Sequence, residues 1–380
     1  SDPKARIAVG LQLMEVATAG LSTSSIGRLV ELPRMDDEDS VLIARALNYI
    51  SPSAFIMNDV SQWFLWVAFS SLKLFRDQGN AVESCHGYSL VAMTLSAMGD
   101  NDRGYAFHKL AVELATRLGD VSQLSRTTTC MGFHQAWREP LSAVAETAHR
   151  AWRHSLDAGD WFHAQFAAAN VLRANVHGGA PLTELETTAS NFLDFLSSRA
   201  NEMAPLYDAC LRFVIAMRGE GPTPGDLSRA DDLPPWAETI DGIETEAVRV
   251  WSQTIQVLAY VMAGRDREAL ESARAIWPRY VVNRQFGDGG ELHFLHALAA
   301  ARTGALEEAR VQLEELAPWT TQNPSAYGPK AALVRAALAE AEGQNDVAID
   351  GYLGAWNGAR ELGLLHVETL AAYAAGELQE

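Results

Sequence analysis

Few side chains in this sequence have both the type and the spacing for chemistry. Glu291, His293 and His296 come nearest to a metal-binding pattern, since the two histidines lie three apart on one predicted helix, but no third ligand follows at a fixed offset. Cys130 and His134, four apart, share a helix face with Met131, Phe133 and Trp137 around them, which makes them core residues rather than a nucleophile and its base. The acidic run Asp36-Asp37-Glu38-Asp39 lacks the glycine-containing loop with alternating oxygen ligands that calcium requires, and reads as a solvated helix start. Gly328-Pro329-Lys330 has neither the upstream glycine nor the hydroxyl residue of a phosphate-cradling loop. Trp137-Arg138-Glu139-Pro140-Leu141 has two readings. It can be a helix end with a stacked Trp and a restart at Pro140, at the first helical position that Pro prefers, or Arg138 can belong to a groove that grips a carboxylate or phosphate. The expectation is no enzyme, no cofactor and no metal; an α/α-scaffold enzyme using Glu291 and Asp288 is the catalytic alternative.

The elements that must position these residues are helices. The 380 residues are 48% hydrophobic and 21% charged, enough for two or three compact domains or one elongated solenoid. Ala, Leu, Glu and Arg dominate long segments and alternating β-branched runs are almost absent, so the chain is expected to be all-α. Cys85, Cys130 and Cys210 are widely spaced, as buried reduced thiols of a cytoplasmic protein would be. The longest apolar runs fall well short of the ~20 residues that span a bilayer, so no membrane segment is expected. The start lacks an initiator Met and a leader pattern, and the chain reads as part of something longer. A formal net charge of -18 argues against nucleic acid as partner, because phosphate binding needs a basic surface.

A repeat organises the helices. Gly79, Gly99 and Gly119 fall at intervals of twenty, and Gly264, Gly304 and Gly343 at forty and thirty-nine, the periodicity of stacked hairpins. Ala164, Ala269, Ala309 and Ala348 each stand five residues after a glycine, at Gly159, Gly264, Gly304 and Gly343. The glycine closes one helix in the left-handed conformation and the alanine lets the next helix approach closely. Helices are expected to end at Pro278 and Pro318, a helix to open at Pro52, and Asp39 or Ser40 and Asp346 to act as N-caps. In the last hairpin the first helix is placed at about Tyr327 to Glu342. Gly219-Glu220-Gly221-Pro222-Thr223-Pro224-Gly225 with Asp231-Asp232-Leu233-Pro234-Pro235 concentrates breakers, so 219–236 is expected to be either a loop or hinge between arrays at 1–218 and 237–380 or an insertion within one continuous superhelix.

Gly264-Arg265-Asp266-Arg267-Glu268-Ala269-Leu270 through Ile276-Trp277-Pro278 resembles the second half of a tetratricopeptide repeat. Over most of its length the chain resembles the repeat region of large bacterial signalling proteins. These join a serine/threonine kinase-like domain, an AAA or STAND-type ATPase, tetratricopeptide-like repeats, and GAF and histidine kinase or other output domains. The resemblance rests on Leu32-Pro33-Arg34-Met35, Ser71-Leu72 with Gly79-Asn80 and Ser84, Gly104-Tyr105-Ala106-Phe107, Trp137-Arg138-Glu139-Pro140-Leu141 and Ala158-Gly159-Asp160. It continues with Trp319, Asn323-Pro324, Lys330, Leu333-Val334, Gly343, Tyr352 and Glu368, while Tyr327 and Pro329 depart from the Phe or His expected there. It implies antiparallel hairpins stacked in a right-handed superhelix, a sensor or protein-interaction role, and a protein or small ligand in a concave groove. His134, Trp137, Arg138, Asp160 and Lys330 are the candidate groove residues. The implied partners are neighbouring ATPase and output domains of the same polypeptide, or a peptide or small molecule. An inducer-binding arm of a large LuxR-type activator is the alternative.

Overall fold

The glycine turns and the small residues that follow them take up the predicted arrangement. In a computed structural model, described for residues 3–56, 60–196, 202–220, 224–225, 227, 235–282 and 289–379, Gly264, Gly304 and Gly343 have φ of +71°, +81° and +77°. Ala164, Ala269, Ala309 and Ala348, five residues on, are all buried. The described residues are all-helical, with one isolated parallel bridge between Arg34 and Asn80 and no strand. Among them no helix is long and apolar enough to cross a membrane.

The helices are α1 (Pro3–Thr18), α2 (Thr23–Ile26), α3 (Glu38–Ile56), α4 (Val60–Gln78), α5 (Ser84–Ala97), α6 (Asn101–Leu118), α7 (Val121–Gly132), α8 (Leu141–Ala158), α9 (Trp161–Gly178) and α10 (Leu182–Leu196). They continue as α11 (Ala204–Met217), α12 (Trp236–Asp241), α13 (Glu246–Met262), α14 (Asp266–Val282), α15 (Gly289–Arg302), α16 (Leu306–Gln322), α17 (Pro324–Ala341), α18 (Asn345–Leu362) and α19 (Leu365–Glu377). Two compact units share them. The first comprises 1–135, 147–167 and 284–286, and the second 136–146, 168–283 and 287–380. These bounds differ from a division at 219–236, and α11 and α13, on either side of that stretch, pack directly on each other. Of the predicted loop itself, residues 221–223, 226 and 228–234 lie outside the described residues.

In the first unit α4 packs on α1, α3 and α5, and α5 packs on α6 and α7. The core is aromatic: the Phe75 ring meets Tyr88 edge-on at 5.3 Å, and Tyr88 stacks on Phe107 at 6.1 Å. In the second unit each helix from α13 to α19 packs on the next, and α13, α15, α17 and α19 also contact one another in succession. This follows from the sequence pattern, because a single hairpin leaves one apolar face open and hides it only against its neighbour.

Prolines depart from expectation. Pro278 and Pro318 lie inside α14 and α16, and Pro52 lies inside α3 rather than opening a new helix. A proline's fixed φ is itself helical and removes one hydrogen bond, so a helix packed on its neighbours continues past it for another turn. The caps also shift. Asp37, not Asp39 or Ser40, caps α3 by accepting from the Ser40 backbone N–H at 2.8 Å, and Gln344 rather than Asp346 precedes α18. Asn323 caps α17 by accepting from the Ala326 N–H at 3.2 Å, which starts that helix at Pro324 instead of Tyr327.

Gly79 is doubly constrained. Its φ is +96°, and a Cβ there would stand 2.2 Å from the Pro33 carbonyl oxygen, which accepts the Asn80 N–H at 2.7 Å. Asn80 then ties the segment down: its Nδ2 donates to the Leu29 carbonyl and its Oδ1 accepts from the Tyr88 hydroxyl, both at 2.8 Å. Gly119 (φ +64°) faces open space. Gly119→Ala is therefore expected to cost about 1 kcal/mol, the left-handed penalty alone, and Gly79→Ala clearly more. Urea unfolding of the two variants measures the difference.

Candidate functional site

The five candidate groove residues are divided between the two units. His134 is buried in the first unit, its Nδ1 3.2 Å from His108 Nε2 with the rings stacked. Burial, and then the neighbouring His134 ring, hold His108 well below the ordinary histidine range, so His108 is a neutral core residue. Asp160, in the same unit, caps α9. Burial opposes its ionisation, but the His163 hydrogen bonds and the Arg126 charge outweigh that and lower its pKa. Trp137 and Arg138 belong to the second unit. Trp137 is buried with its ring edge-on to Trp319 at 4.9 Å, and Trp319 meets Tyr327 at 5.5 Å; Arg138 is exposed. Trp137 lies in a separate 3-10 turn, Gln135–Trp137, and α8 begins at Leu141, one residue after the expected restart at Pro140.

Lys330 is the largest correction. It is 0% exposed and so lines no groove. Its ammonium is paired with the Glu291 carboxylate, donates to the His177 carbonyl at 3.0 Å, and lies 5.4 Å from the Tyr327 ring centre. Sequence reasoning missed this because Glu291 stands 39 residues before Lys330, on another helix. Glu291, His293 and His296 diverge as well. His293 Nδ1 lies 2.8 Å from Gln312 Oε1 and His296 Nε2 lies 2.7 Å from Glu308 Oε1. Glu291 is engaged by Lys330, and Asp288 lies outside the described residues.

The second unit contains a cavity of about 730 Å³ at the ends of α13, α15, α17 and α19. Ala301 and Ala337 are small enough to leave the space open, and Tyr352 and the 66% exposed Tyr373 supply aromatic walls. Its charged lining is Asp266, Glu340 and Glu377 against Arg302, whose Nη1 is 3.5 Å from Asp266 Oδ1. The Tyr352 hydroxyl donates to Glu340 at 2.5 Å and the Tyr373 hydroxyl to Glu377 at 2.6 Å. Burial raises the Asp266 pKa, with Arg302 opposing. The arrangement suits an occupant with an apolar body and a cationic group.

The first unit brings together three residues that no spacing linked: His86 on α5, Cys130 on α7 and His163 on α9. All are buried, and one ligand atom from each lies within 4.8 Å of the others. Burial pushes the Cys130 thiol up to about 12, so without a cation it is protonated and a poor nucleophile. The one local signal was Asp160-Trp161-Phe162-His163, whose first residue caps a helix and holds its fourth.

The Lys330–Glu291 pair gives a double-mutant test. Lys330→Met leaves a buried carboxylate without its cation and is expected to cost about 3–5 kcal/mol. Lys330→Met with Glu291→Leu removes both charges and should recover much of that loss in urea unfolding. No protein-family model matches the chain, and no curated protein matches it significantly.

Proposed function

We propose that the chain is a non-catalytic helical-repeat scaffold, a sensor or protein-interaction module of a bacterial multidomain ATPase-type signalling regulator. In this reading its hairpins stack as tetratricopeptide-like repeats in a right-handed superhelix, and the occupant is a protein segment. The observation that carries it is the cavity of about 730 Å³ on α13, α15, α17 and α19, the alternate helices of the stack. Such helices contact one another in succession, so a segment lying across them touches every hairpin, and small rotations between hairpins alter its fit. That gives occupancy a route to neighbouring domains of the same polypeptide. The carboxylates of Asp266, Glu340 and Glu377 favour a basic segment, and Tyr352 and Tyr373 favour one with apolar side chains.

Anisotropy titration with fluorescent peptides that alternate Lys and Leu tests this. The chain should bind them in preference to Glu and Leu peptides of equal length. Tyr373→Ala and Glu377→Lys should each weaken binding about tenfold, the ~1–2 kcal/mol expected of an interface anchor. Equal binding of basic and acidic peptides, or binding indifferent to both substitutions, would sink the proposal.

A further inference from the structure

The hydrogen bonds around His86 and His163 fix where their lone pairs lie. Ser51 Oγ spends its proton on the Asn48 carbonyl at 2.8 Å, so at 3.2 Å from His86 Nε2 it accepts the ring N–H. The lone pair of His86 is then on Nδ1, which is buried and has no hydrogen-bond partner among the described residues, in a side chain only 5% exposed. His163 Nδ1 lies 3.0 Å from both oxygens of Asp160, a carboxylate that can only accept, so its lone pair is on Nε2. Asp160 is held in turn by Arg126 Nε at 3.3 Å.

These two ring nitrogens and the Cys130 thiol carry a single proton among them, and one ligand atom of each residue lies within 4.8 Å of the others. They face a cavity of about 40 Å³ whose remaining walls include Phe64, Phe133, Phe162 and Phe166. A buried acceptor without a donor is destabilising, and a cation satisfies all three groups at once. Tetrahedral bonds to one nitrogen and one sulfur place the donors about 3.5 Å apart, and the separations here are at most 4.8 Å. The carboxylate behind His163 is the outer partner that metal-bound histidines use to fix ring and tautomer.

We propose that His86, Cys130 and His163 bind a borderline-soft divalent transition-metal ion of the zinc type, with Asp160 as the residue that positions His163. Nitrogen and sulfur donors without an oxygen ligand disfavour magnesium and calcium. On binding, the Cys130 S–H bond breaks, a metal–thiolate bond forms and the proton leaves to solvent; no oxidation occurs. The protein supplies three ligands, and the cavity has room for a water as the fourth.

The test uses the full chain, stripped with chelator and titrated with Co²⁺. One equivalent should bind, giving a thiolate-to-cobalt charge-transfer band in the near ultraviolet and the intense visible bands of tetrahedral cobalt, both displaced by Zn²⁺. Cys130→Ser should abolish the charge-transfer band, Asp160→Asn should weaken binding about 10- to 100-fold, and Cys210→Ser, in the other unit, should change neither. Because these spectra are read first on the unsubstituted protein, a variant that fails to fold does not decide the matter. Absence of a charge-transfer band at one equivalent, a band that survives Cys130→Ser, or Co²⁺ bound only in the octahedral form typical of surface carboxylates would each overturn the assignment.

Discussion

A charged ammonium with no access to water must be neutralised where it lies, and the second unit is arranged around meeting that condition for Lys330. Glu291 supplies the opposite charge, the carbonyl at the end of α9 accepts one of the remaining protons, and the rings of Tyr327 and Phe294 flank the ammonium. These groups come from three helices, α9, α15 and α17. Removing any one leaves the others buried without compensation, so this interaction sets the register of α17 against α15 and α9 more sharply than apolar contacts do. It also accounts for His366, held well below the ordinary histidine range by burial and then by the nearby Lys330 charge.

Several residues elsewhere in the chain do comparable work as fasteners. The Pro33 carbonyl receives Asn80, and the Met35 N–H returns to the Asn80 carbonyl at 2.8 Å. Asn323 Nδ2 donates to the carbonyls of Ala136 and Glu139 at 2.8 and 2.7 Å, which secures the turn after Trp137. Polar side chains at these points satisfy backbone groups that a helix end would otherwise bury unpaired. A recurring set of such residues specifies how helices dock, and it does so without specifying a ligand.

What the sequence made legible was local. A glycine followed five residues later by alanine announces a turn and a close crossing, and the buried Ala269, Ala309 and Ala348 bear out that pairing. The burial of the three cysteines was expected from their wide spacing, and all three are buried. Pro278 and Pro318 were misjudged because a packed helix outweighs the loss of one hydrogen bond. Lys330 was assigned to a groove because nothing in its neighbourhood reveals Glu291, nearly forty residues earlier. His86, Cys130 and His163 escaped for the same reason: their proximity is a product of tertiary packing among α5, α7 and α9, and motif spacing encodes only what one or two elements can present.

The way the chain is shared between its two units has a consequence for modularity. Residues 136–146 belong with 168–283 and 287–380, yet 147–167 between them belong with the N-terminal stretch. No single peptide bond separates the units. A fragment beginning at Ala168 would lack the Ala136 and Glu139 carbonyls that anchor Asn323, and one ending at Gln135 would lack His163 and Asp160. Although each hairpin looks like an interchangeable bead, the chain must be synthesised past residue 286 before its first unit is complete.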